Sequence, residues 1–337
     1  MKKRFLGLCL AACMLTGLAG CGGNAAENLA NSILMEEDEA FATGQQYKDE
    51  AAAITVECAT LSDCVMAPLT TEEDGSVNAY YTSENEDSDE EGDYLYLDCV
   101  STVKNVGSEE LDLLDDLYFY CTDANELYDD CMVLVESADG TVLDDAGELQ
   151  KGKTARVHYT LVLPEDISWT QLKVFFMMPE SATTYAAPLS ECKPNAKAAF
   201  SADAPVTTAD GAVLTMKSCS VSDEAASLTA AGGNTSILPV TDGDKMVDIA
   251  IEVTNNGSEA LTLGTLYGGQ MIEDGFNTLG LVALEADNDM VYSGSIAAGS
   301  TVMTHLLFEL AEEPTEDQSF YLYVDGTFYS IAVNTAE

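Results

Sequence analysis

Val103-Lys104-Asn105-Val106-Gly107-Ser108-Glu109-Glu110-Leu111-Asp112-Leu113 returns roughly 150 residues later as Val253-Thr254-Asn255-Asn256-Gly257-Ser258-Glu259-Ala260-Leu261-Thr262-Leu263. Upstream, Ile54-Thr55-Val56 and Leu61-Ser62-Asp63 match Leu214-Thr215-Met216 and Val221-Ser222-Asp223. Downstream, Gly152-Lys153-Thr154 with His158 matches Gly299-Ser300-Thr301 with His305. Three matched blocks in one order mark a duplication, and the expectation is two copies of one domain.

Each copy reads as all-β. Leu97, Cys99, Ser101 and Val103 alternate with Tyr96, Asp98, Val100 and Thr102, the period-two pattern of a strand with two unlike faces. Val247, Ile249, Ile251 and Val253 hold the same inward phase in the second copy, which sets Cys99 opposite Ile249 as a small buried hydrophobe. Asn-x-Gly-Ser then turns the chain, since Asn and Gly adopt positive φ at little cost. Leu111/Leu113 and Leu261/Leu263 start the returning strand. A later strand carries Val157, Tyr159, Leu161 and Leu163, matched by Thr304, Leu306, Phe308 and Leu310. Short strands with a turn about every ten residues predict a β-sandwich.

The Asn-x-Gly-Ser turn, followed in the second copy by Ile296-Ala297-Ala298-Gly299-Ser300-Thr301 and Leu307-Phe308-Glu309-Leu310, resembles a known domain type. It is similar to the telokin-like, immunoglobulin-like domains of unknown function found in lipoproteins of Gram-positive bacteria. The second copy matches better; the first has Val162 where the second has Glu309, and it carries an acidic insertion. The resemblance spans most of residues 51–335. It implies two tandem immunoglobulin-like β-sandwich domains in the cell envelope, and it brings no catalytic residues.

The N-terminus accords with that location. Met1-Lys2-Lys3-Arg4 is positive, and Phe5 to Leu18 is apolar but too short for a comfortable transmembrane helix. The run closes in Leu18-Ala19-Gly20-Cys21, which resembles the lipobox of bacterial lipoproteins. That resemblance implies diacylglycerol on the Cys21 thiol and cleavage in front of it. Lipid on Cys21 is then the membrane contact, each buried methylene contributing about 0.8 kcal/mol. The expected layout is a signal peptide over 1–20, a lipidated tether over 21–50 with a short helix from Ala26 to Ala40, and a first domain over 51–190. A linker over 191–205, marked by Lys193-Pro194-Asn195 and Ala204-Pro205, precedes a second domain over 206–335.

Processing removes three of the 13 Lys+Arg and none of the 59 Asp+Glu, leaving a formal charge near −49 on 317 residues. Such a surface repels nucleic acid and anionic headgroups. A composition 47% hydrophobic nonetheless supports packed cores. Seven cysteines beyond Cys21 cannot all pair within the chain. Cys121 and Cys131, flanking the turn-like Thr122-Asp123-Ala124-Asn125, are the first candidates for a disulfide. Neither a CxxC spacing nor a Cys/His cluster points to zinc.

Asp87, Asp89, Glu91, Gly92 and Asp98 fall at positions 1, 3, 5, 6 and 12 of a calcium loop, where oxygens converge around a glycine turn. Asp98 stands in place of the usual bidentate Glu, and a solvated acidic loop entering a strand accounts for the same residues. His158 and His305 lie out of phase with the inward residues; they are expected on the strand surface rather than as a pH-sensitive contact or a weak metal site. Tyr118-Phe119-Tyr120, Phe175-Phe176 and Tyr321/Tyr323 are expected to split between core and cross-strand pairs, with a platform for sugars or peptides as the competing reading. There is no GxSxG, glycine-rich phosphate loop or HExxH, and carboxylates are too numerous for their pairing to inform. The expectation is a non-enzymatic lipoprotein on the extracytoplasmic face of the cell membrane, with a binding or envelope-accessory role toward a protein or glycan. No cofactor is expected unless calcium occupies the acidic loop. A calcium-stabilised adhesion module and a glycan hydrolase stand as alternatives.

Overall fold

The structure, a computed structural model, describes residues 38–69, 79–82, 94–123, 126–230, 236–286 and 289–333. Cys21 and the loop acids Asp87, Asp89 and Glu91 lie outside the described residues. Among the described residues the first half opens with β1 (Glu39–Ala40), β2 (Gln46–Lys48), β3 (Ala52–Ser62), β4 (Cys64–Met66) and β5 (Ala79–Thr82). It continues through β6 (Tyr94–Asn105), β7 (Leu111–Asp112), β8 (Tyr118–Thr122), β9 (Leu127–Tyr128) and β10 (Cys131–Glu136). It closes with β11 (Leu143–Asp145), β12 (Glu148–Leu149), β13 (Thr154–Pro164), β14 (Lys173–Met177) and β15 (Thr184–Pro188).

The second half repeats the series. It comprises β16 (Ala199–Phe200), β17 (Val206–Thr207), β18 (Ala212–Ser222), β19 (Ala225–Ala226), β20 (Ser236–Ile237), β21 (Lys245–Asn255), β22 (Leu261–Thr262) and β23 (Gly268–Glu273). Then follow β24 (Phe276–Leu279), β25 (Leu281–Ala286), β26 (Asp289–Val291), β27 (Ser295–Ile296), β28 (Thr301–Leu310), β29 (Ser319–Val324) and β30 (Thr327–Ile331). The sheet order β1-β15-β14-β8-β9 recurs as β16-β30-β29-β23-β24. Likewise β11-β10-β13-β6-β3, with β2 on β3, recurs as β26-β25-β28-β21-β18-β17. The protein is all-β, and the duplication read from three sequence blocks extends to every strand among the described residues.

Each half is a β-sandwich whose filling comes from both sheets. In the first, Leu97, Cys99, Val103, Val157 and Tyr159 of one sheet pack with Phe119, Val174 and Phe176 of the other. In the second, Val247, Ile249, Ile251 and Phe308 meet Met271, Phe320 and Leu322. Cys99 and Ile249 thus hold equivalent inward positions. A bulge in β3 between Val56 and Cys58 changes the phase. Ile54 and Val56 before it, and Ala59 and Leu61 after it, face one core, while Cys58 turns to the opposite side. β18 carries the matching bulge between Met216 and Ser218.

The Asn-x-Gly-Ser segments work differently from the expectation. Neither Gly107 nor Gly257 is among the positive-φ residues. Instead each Asn is buried and ties the turn together. Asn105 Nδ2 donates to the carbonyls of Glu109 (2.8 Å) and Leu149 (2.7 Å), and its Oδ1 accepts from the Gly107 amide at 2.9 Å. Asn255 repeats this with Glu259, Ile296 and Gly257. The approach is tight in the second copy, where a Cβ on Gly257 would lie 3.1 Å from Asn255 Oδ1 and 3.3 Å from the Asp210 carbonyl, while one on Gly107 would meet nothing nearer than 3.4 Å.

Short strands occur within both stretches expected to be connectors. The described part of the stretch assigned to the tether supplies β1, parallel to β15, and β2, antiparallel to β3, whereas residues 26–37 of the expected helix lie outside the described residues. Phe41 and Tyr47 enter the first core, and burial of two aromatics ties this stretch to the sandwich. Within the expected linker, Phe200 is buried and β16 pairs in parallel with β30. The halves also join edge to edge: β24 runs beside β3, with Phe276 opposite Leu61 and the Leu61 amide 2.8 Å from the Gly275 carbonyl.

Candidate functional site

Side chains alternate along β13, so the inward Val157 and Tyr159 leave Arg156, His158 and Thr160 on the opposite face. β6 and β10 flank β13 and present Asp98 and Glu136 to that face. His158 bridges them, with Nδ1 2.8 Å from Asp98 Oδ2 and Nε2 3.2 Å from Glu136 Oε2. Arg156 extends the chain of charge, reaching Glu136 at 3.0 Å and the bulge residue Glu57 at 2.9 Å. From the second half, the Tyr323 hydroxyl donates to Glu136 at 3.1 Å and also accepts from Arg156. The guanidinium lies 4.9 Å from the Tyr323 ring centroid.

The second half holds the same clamp. His305 Nδ1 is 2.8 Å from Asp248 Oδ1, and Nε2 is 2.8 Å from Glu285 Oε1. What covers the clamp differs. Glu285 accepts from the amides of Leu228 and Thr229 and from the hydroxyls of Ser227 and Thr229, a strap from its own half.

The histidines therefore depart from the surface placement expected of them. Their phase, away from the sandwich core, is as the alternation indicated; but that face is itself covered, and His158 is 3% and His305 0% exposed. Burial works against a charged imidazole. The charge and hydrogen bonds of Asp98 and Glu136 outweigh it and hold the His158 pKa up at about 9. His305 is raised for the same reasons, through Asp248 and Glu285. For Glu285, burial pushes upward, yet bonds from Thr229, His305 and the strap pull it down to about 2. Sequence alone carried a signal for these partners. Asp98 and Glu136 precede His158 by 60 and 22 residues, and Asp248 and Glu285 precede His305 by 57 and 20.

Of the calcium-loop acids, Asp98 is the one described, and its carboxylate is engaged with His158. Among the described residues no group of three or more His, Cys, Asp or Glu side chains is placed to hold a metal ion. Cys121 and Cys131, the proposed disulfide, are free thiols. They sit on different sheets, Cys121 on β8 and Cys131 on β10. Burial pushes both thiols up, Cys131 to about 12. The aromatics divide between faces: Phe119 and Phe176 fill the core, while Tyr120 and Phe175 stack at 4.7 Å on the other side.

Where the halves meet, the outer face of β3 and β6 and strands β23 and β24 enclose a cleft of about 210 Å³. Asp98, Glu136, Arg156 and His158 form its charged wall, with Gln270 and Asn277 opposite.

No protein-family model matches the chain, and no curated protein matches it. Among solved structures it is similar to an uncharacterized β-sandwich protein from Clostridium difficile 630, at 16% identity and TM-score 0.35, covering 45% of this chain and 94% of that one. It is also similar to an anti-sigma factor domain-containing protein at 13% identity and TM-score 0.16, covering 81% of this chain and 98% of that one. A calcium-binding mutant of Bacteroides uniformis β-glucuronidase 2 aligns at 13% identity and TM-score 0.17, over 83% of this chain and 32% of that one. These likenesses are too distant to carry a functional argument.

Proposed function

We propose that the chain is a lipid-anchored, extracytoplasmic lipoprotein whose two sandwich halves, of immunoglobulin-like type, serve a non-enzymatic binding role. The observation that carries the binding role is the polar cleft at the joint between the halves. Two features favour binding over catalysis. Both ring nitrogens of each histidine are spent on carboxylates, so neither ring offers a base or a metal ligand. Burial pushes the Cys58 and Cys99 thiols up, away from the thiolate form that a nucleophile needs.

Anchoring rests on Leu18-Ala19-Gly20-Cys21 and the leader before it. Among the described residues no helix is long and apolar enough to cross a membrane. In a bacterial host the wild-type chain is expected to partition into a detergent phase, and Cys21→Ala into the aqueous phase. An aqueous wild-type chain, or a mature N-terminus without acyl groups by mass spectrometry, would overturn the anchored reading.

A further inference from the structure

The two copies offer an internal comparison at the clamp. A shared turn aligns them: Ser62 Oγ donates to the Cys64 carbonyl and Ser222 Oγ to that of Glu224. Counting on from it, the strap residues Ser227, Leu228 and Thr229 correspond to Ala67, Pro68 and Leu69. Both hydroxyl donors are gone. Proline has no amide hydrogen to replace that of Leu228, and the Leu69 amide is spent on the Gly140 carbonyl at 3.0 Å. The first half therefore lacks the strap that closes the second, and the cleft lies at that place, with Pro68 in its wall.

Its chemistry is unbalanced in one direction. Among the described residues, the carboxylates of Glu57, Asp98 and Glu136 pair with two cations, Arg156 and His158, so the connected network is short of one positive charge. A buried charge excess of this kind calls for a counter-charge. Hydrogen-bond acceptors are also in surplus. Among the described residues Asp98 Oδ1 has one contact, at 3.5 Å from Thr160, and the buried amide oxygens of Gln270 and Asn277 have no hydrogen-bond partner. Phe276 and Phe328 supply apolar wall beside them.

We propose that this cleft binds a small primary ammonium compound. Its three N–H donors and single positive charge answer the acceptors and the missing charge, and its alkyl part lies against the aromatic wall. The proposal deepens the binding role above and rests on it.

The test is an NMR titration of the full chain in detergent micelles with ethylammonium chloride, against tetramethylammonium chloride and sodium acetate at equal ionic strength. Ethylammonium should give saturable shifts at the Gln270 and Asn277 side-chain amides. Tetramethylammonium, a cation with no N–H, and acetate should give none. Replacing either acceptor (Gln270→Leu or Asn277→Leu) should weaken binding about tenfold or more. Rebuilding the strap with Ala67→Ser, Pro68→Leu and Leu69→Thr should abolish it. The absence of saturable shifts from the wild-type chain up to about 10 mM ethylammonium, where a site of Kd ~1 mM would be mostly filled, overturns the proposal. Equal shifts with tetramethylammonium or acetate do so too. Such a failure beside an intact detergent partition would sink this ligand class and leave the anchored reading standing.

Discussion

At the scale of single residues, the buried histidines give the fold a pH dependence. The His158 ring is held near pKa 9 in the folded chain against 6.5 for an ordinary histidine. Its contribution, on the order of 3 kcal/mol, is complete below pH 6.5, where folded and unfolded rings both carry the proton. It shrinks as pH rises and is gone above about 9. Urea unfolding should therefore show stability falling across that window, and His158→Gln should remove this part of the slope. The same substitution leaves Asp98 and Glu136 buried without their imidazolium, so at neutral pH it should cost about 3 kcal/mol. An unchanged urea midpoint in His158→Gln would contradict the clamp.

At the scale of elements, the buried asparagines fix the turns after β6 and β21. Asn105→Ala or Asn255→Ala leaves buried carbonyls without donors and should lower stability by about 2 kcal/mol each, read from denaturant midpoints. Strand phase was legible in the sequence because alternation is a local property. Leu97, Cys99 and Val103 are buried where period two places them, as are Val247, Ile249 and Ile251. What covers a strand's second face is not local. Nothing near His158 in sequence says that Tyr323 will sit over Glu136, and nothing near His305 says that residues 227–229 will strap Glu285. Hence the histidine phase was readable and the histidine burial was not. Phe41 and Tyr47 were missed for a similar reason, since β1 and β2 are too short to show a period and find their partners in β15 and β3.

For the whole molecule, Arg156 is a charged joint between the repeats, beside the edge pairing of β24 with β3. It binds Glu57 and Glu136 of its own half and Tyr323 and Phe328 of the other. The residue at its place in the second half is Met303. Arg156→Met should therefore separate calorimetric unfolding into two transitions, with the first half melting lower and the second little changed; a single transition at the wild-type temperature would deny the joint. More basic than the joint is the claim that each half is organised around an imidazolium held at both nitrogens. Proton–nitrogen NMR of the two rings at neutral pH tests it most directly. Both His158 and His305 should show two slowly exchanging N–H protons, and a ring with one bare nitrogen, or one titrating near the ordinary 6.5, would contradict it.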